Sequence, residues 1–143
     1  MGVRVDLQTS LRTLFLANAN ILAAVGDWGV EIRDHPWLKE KIHRGLTIHW
    51  PQDESELAGQ NKSDTFVYPV MLTFVQGRRE DDNNIDLFRE GVKAVVHNKR
   101  LADDSKVLRM RWIPGRVALP DHFRKEYVAS VGAVSIQRRE GRT

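Results

Sequence analysis

Apolar residues recur at helical spacing near the N-terminus, at Leu7, Leu11, Leu14, Phe15, Leu22 and Val25, with Asn18 completing the stripe. The pattern predicts one helix packed against a sheet, opened by Asp6 as N-cap and stopped by Gly26. Asn18 and Asn20, weak helix formers, favour a bend or interruption at its middle. Val30-Glu31-Ile32-Arg33 then alternates like a short edge strand. Residues 36–42 suit one or two helical turns begun by Pro36 behind an Asp34 cap, and residues 46–50 alternate as a strand that Pro51 stops.

The longest nearly uncharged apolar run is 66–75. In a strand, Phe66, Tyr68, Val70, Leu72 and Phe74 share one face and Val67, Met71 and Val75 the other, so both faces need cover. Pro69 cannot donate to a ladder and belongs at the strand's start or at an unpaired position. The Asp/Asn-rich end of the following connection can cap a second helix, whose stripe is Ile85, Phe88, Val92, Val95 and Val96. Gly91 faces roughly the same side and suits a close approach to the sheet. Residues 107–113 predict a strand with Leu108, Met110 and Trp112 on its apolar face and Arg109 and Arg111 opposite. A last strand is expected over 127–136, followed by a polar tail, 137–143, that frays.

These elements predict a single α+β domain over 1–143, with a mixed or antiparallel sheet of about four strands and two main helices packed on one face. Val67, Met71 and Val75 are then left on the other face for a neighbouring subunit to cover. Residues 52–65 are a long polar loop carrying Asp53, Glu54, Glu56 and Asp64, expected to order against a neighbour.

Composition narrows the chemistry. The chain has no cysteine, which excludes disulfides, thiolate catalysis and cysteine zinc sites. No apolar stretch is long enough to span a bilayer, and the N-terminus lacks a secretory h-region, so a soluble cytoplasmic product without membrane contact is expected. His35, His43, His49, His97 and His122 include no i, i+4 pair for a metal, and glycine-rich phosphate motifs and nucleophile elbows are missing. No catalytic residue, cofactor or metal is therefore predicted, and the reading is of a protein that is not an enzyme.

The net charge is +3, but it is unevenly spread. From Lys99 onward 11 basic residues face 5 acidic ones, whereas the preceding chain holds 11 basic and 14 acidic. Such asymmetry suits contact with a polyanion or between opposite patches of two copies. The candidates for a DNA-facing or inter-subunit basic surface are Arg109, Arg111, Arg116, Arg138 and Arg139; Arg124 and Lys125 lie nearby in sequence. Asp53, Glu54, Glu56 and Asp64 are the candidate acidic partners. Arginines two apart on a strand place two charges on one sheet face, suitable for phosphates without reading sequence.

The order of features resembles the tail terminator, or tail completion, proteins of long-tailed bacteriophages and related prophage neck proteins. The likeness rests on an N-terminal helix ending in Val25-Gly26 and a loop leading to a strand that opens with Tyr68-Pro69-Val70. The helix Ile85-Asp86-Leu87-Phe88-Arg89-Glu90-Gly91-Val92 and two closing strands complete it. The resemblance implies a structural virion protein, commonly a hexameric ring, that caps the tail tube and joins it to the head connector. Its partners would be further copies of itself, the tail tube protein, neck proteins and DNA passing non-specifically through the ring. It would reside in the virion tail or neck, and in the host cytoplasm during assembly. The alternatives are a monomeric nucleic-acid-binding α+β domain and a related head-closure or adaptor neck protein.

Overall fold

The computed structural model describes residues 3–26, 29–32, 44–50, 59–60, 65–115 and 127–139. In chain order the elements are α1 (Val3–Leu16), α2 (Ala19–Val25), β1 (Val30–Ile32), β2 (Arg44–His49), β3 (Gly59–Gln60), β4 (Thr65–Gly77), α3 (Asn83–Val96), β5 (Val107–Gly115) and β6 (Tyr127–Arg139). The strands form one mixed sheet in the order β1-β2-β4-β6-β5, with β3 paired to β4 beside Phe66 and Val67. β1 runs parallel to β2; β4 pairs antiparallel with β2, β3 and β6, as β5 does with β6. This is an α+β fold, with the apolar run as its middle strand.

The expected first helix is two helices. Asn18 breaks the ladder and becomes the N-cap of α2, its Oδ1 accepting from the Ile21 N–H at 3.0 Å. The break rotates the second segment, so Ile21, Ala24 and Val25 are buried and Leu22 is left exposed. Asp6 lies within the first turn of α1, where its charge favours the helix N-terminus through the dipole, instead of capping it. α3 starts after Asp82, and Asp81 Oδ1 accepts from the Asn83 N–H.

All three helices share one core with one face of the sheet. Leu7, Leu11, Phe15, Ile21, Phe88, Val92 and Val96 pack with Leu46, Ile48, Val70, Leu72, Phe74, Met110, Trp112, Val134 and Ile136. Phe88 stacks on Phe74 at 5.2 Å between centroids and meets Trp112 edge-on at 5.9 Å. Burying each such ring or branched side chain contributes about 1.5–3 kcal/mol. Gly91 serves the helix pair and not the sheet, because a Cβ there would lie 2.6 Å from Ile21 Cγ1 and 2.9 Å from Asn18 Oδ1. Gly132 plays that part within the sheet, giving the Trp112 ring its place; a Cβ would come within 2.1 Å of it.

β4 and β6 pair residue for residue from Thr65↔Arg139 to Gly77↔Tyr127. The Arg139 N–H donates away from β4, to Lys106 O, and ladder alternation then turns Pro69 toward the β2–β3 side. There it falls between the ends of β3 and β2, whose pairing covers 66–67 and 71–76. Pro69 thus stands where no N–H is required.

Two sequence boundaries move. Gln137, Arg138 and Arg139, expected in a frayed tail, are the last residues of β6 because β4 and β5 both pair with this end. Gly59 and Gln60, expected in a loop, pair with β4, and Thr65 begins that strand. The rest of the polar loop, the short helix expected over 36–42 and the tail beyond Arg139 lie outside the described residues.

Candidate functional site

Sheet alternation gives β4, β5 and β6 a second face, turned away from the helices. Across it run Ile113, Ala133 and Met71 in one row, Arg111, Ser135 and Pro69 in the next, and Arg109, Gln137 and Val67 in a third. Arg139 lies beside Thr65 beyond them on the same face. A β-bulge between Val107 and Arg109 sets this arrangement. The extra residue puts Val107 in the core and leaves Leu108 half-buried, correcting the expectation that Leu108 opens the apolar face. From Arg109 onward the alternation is regular.

Burial on this face is graded. At one end Val75 is buried with Tyr127 and Ala129 packed against it, and Thr73 and Val131 are buried too. The expectation that Val75 awaits a neighbouring subunit therefore does not hold. At the other end Val67 and Met71 are half-buried, Arg109, Arg111 and Arg139 are exposed, and Ile113 retains 51% of its surface. Val67, Arg109, Arg111, Ser135 and Gln137 line an open depression of about 220 Å³ there.

Arg109 and Arg111 are two residue rises apart, so their Cα atoms stand roughly 7 Å apart along the strand, and neither makes a hydrogen bond or ion pair among the described residues. Each presents a planar fork of donors suited to carboxylate or phosphate oxygens. The Ser135 hydroxyl and Gln137 amide add neutral donors beside them. The arrangement can hold an anion. It offers no base beside Ser135 among the depression's lining, so nothing there activates the hydroxyl as a nucleophile.

Arg138 does not join this surface. It faces the helix side, where its Nε donates to Asp104 Oδ2 at 2.9 Å and both side chains are mostly buried. Asp104 also accepts from the Lys106 N–H, so the pair pins the turn leading into β5. Arg116, Arg124 and Lys125, with Asp53, Glu54, Glu56 and Asp64, lie outside the described residues. The neighbours that sequence reading missed, Ser135, Gln137 and Ile113, are brought to the arginines by β5–β6 register, which leaves no mark in either strand alone.

The outer edge of β5 is closed against strand addition. Met110 exchanges backbone hydrogen bonds with the 98–99 segment, donating to Lys99 O and accepting from the Asn98 N–H, both at 2.8 Å. The Trp112 N–H donates to His97 Nδ1, and Pro114, next in the same alternation, has no N–H. Contact through β5 therefore uses side chains of the open face.

Among the described residues no group of three or more His, Asp or Glu converges as metal ligands, and no helix is long and apolar enough to cross a membrane. Comparison with protein-family models, curated proteins and solved structures returned no match.

Proposed function

We propose that this chain is a non-enzymatic structural subunit that assembles with copies of itself through the open end of the second sheet face. One observation carries the reading: half-exposed Ile113 lies beside half-buried Met71 and Ala133, next to two arginines without partners. An apolar centre with a charged margin is the composition of a contact surface. The layout that resembles tail terminator proteins gives the assembly a place, a ring at the phage head–tail junction between tail tube and head connector. In that ring Arg109, Arg111 and Arg139 face either an acidic patch of the next subunit or DNA in the channel. The second reading, a monomeric nucleic-acid-binding domain, is favoured by the same unpaired arginines.

Light scattering across a concentration series, combined with electron-microscopy class averages and DNA titration, separates the two. A concentration-dependent ring with little DNA affinity supports the structural subunit. A monodisperse monomer that binds random DNA, with log K falling linearly against log salt, supports the second reading and contradicts the first. A related head-closure or adaptor role predicts the same ring and is distinguished by whether it docks on purified tail tubes or on connectors.

A further inference from the structure

At the opposite side of the sheet, one end of the helix-covered core contains polar atoms without partners. Arg44 Nε, Gln76 Nε2, Gln76 Oε1 and Asn84 Nδ2 are all buried and unpaired. Buried polar groups in native proteins are almost always hydrogen-bonded, so four such atoms on three residues need an account.

The fold brings these residues together. Arg44 and Gln76 are direct cross-strand partners on β2 and β4, on the helix side. The Leu46 N–H donates to Gly29 O, so the even residues of β2 point away from β4 and Arg44–Gln76 is a non-hydrogen-bonded pair, the kind with closer side chains. Asn84 lies one turn before Phe88 on α3, and Phe88 stacks on Phe74, two residues before Gln76. Because α3 turns back after β4, Asn84 lies at the same end of the core as Gln76. Gly26, closing α2, admits the guanidinium against its backbone: a Cβ there would be 2.6 Å from Arg44 Nε and 2.8 Å from Nη2. Gln76 is completely buried, while Arg44 and Gly26 are half-buried, so the cluster is nearest solvent on their side.

Its chemistry is one-sided. Arg44 Nε carries one hydrogen and each amide nitrogen two, against the single unpaired acceptor Gln76 Oε1. The adjacent C-terminal end of α2 favours the Arg44 charge but makes no hydrogen bond with it. A guest rich in acceptors and carrying negative charge matches this set; a guest with equal donors and acceptors does not.

We propose that the cluster of Arg44, Gln76 and Asn84 binds a small carboxylate, whose two oxygens accept from the guanidinium and the two amides. A bridging water completes Gln76 Oε1. This site is independent of the self-association surface, on the other face of the sheet.

The test is an acetate titration of the full-length, 15N-labelled protein at constant ionic strength, with chloride as the balancing anion. Saturable, concerted shifts of the Arg44 Nε–H and the Gln76 and Asn84 side-chain amide signals are expected, with a rise in Tm that follows the same saturation. Gln76→Glu supplies the carboxylate from within, so it should abolish the acetate shifts without lowering Tm. Gln76→Met should abolish the shifts by removing the amide. Unmoved signals in the wild type, or shifts that chloride reproduces, would overturn the proposal, as would an undiminished acetate response in Gln76→Glu. Contacts of these amides to water alone, throughout the titration, would assign the cluster to ordered solvent and overturn the proposal equally.

Discussion

The two faces of one sheet behave differently although the same strands build both. On the helix face Val70, Leu72, Phe74, Val134 and Ile136 are completely buried, in one cluster with side chains from all three helices. On the second face burial fades along the strands, from Thr73 and Val75 at one end to Val67, Met71 and Ile113 at the other. Alternation decides which face a residue joins; only what packs over that face decides whether it is buried. The helix face is where stability is concentrated, and the open end of the second face is where substitution should leave the fold intact and change association.

The largest effect is expected at the ring that joins α3 to the sheet. Phe88→Ala removes the stack on Phe74 and the edge contact with Trp112, and should cost about 3–5 kcal/mol in denaturant unfolding. A loss below about 1 kcal/mol would mean that the helix face is not the rigid one. Gly132→Ala forces a methyl onto the Trp112 ring and should cost roughly 1–3 kcal/mol, with a changed near-ultraviolet circular dichroism signal from the displaced indole.

Asn18→Ala should cost about 1 kcal/mol by removing the α2 cap, read as a lower denaturant midpoint with unchanged slope. Charge reversal of Arg109 and Arg111 together should move stability by less than about 0.5 kcal/mol, because neither has a partner to lose. The same double variant should alter oligomer size or DNA affinity. If it altered neither, both functional readings of the arginines would fall.

How much of this was legible in the sequence depended on the range of the interaction. The central strand, the α3 stripe and the assignment of Arg109 and Arg111 to the face opposite Met110 and Trp112 follow from local periodicity, and the structure has them so. The break at Asn18 was visible as a weak point, but its consequence was not. Shifting the stripe from Leu22 to Ile21 depends on how α2 packs against α3 at Gly91. Arg138 shows the limit most clearly. Read as part of a charged tail it belonged with Arg139, but strand pairing through Arg139 splits the two arginines between faces and gives Arg138 to Asp104. The depression itself was not readable, since its residues come from three strands and meet only through long-range register.

The central claim is that the open end of the second face joins copies of this chain, and Ile113 is its most exposed apolar residue there. Sedimentation equilibrium of the wild type and of Ile113→Asp over the same concentration range tests it directly. The account predicts a concentration-dependent assembly of several subunits for the wild type and a folded monomer for the variant, with unfolding midpoints close together. A wild type that stays monomeric at every concentration, or a variant that assembles as the wild type does, would contradict it.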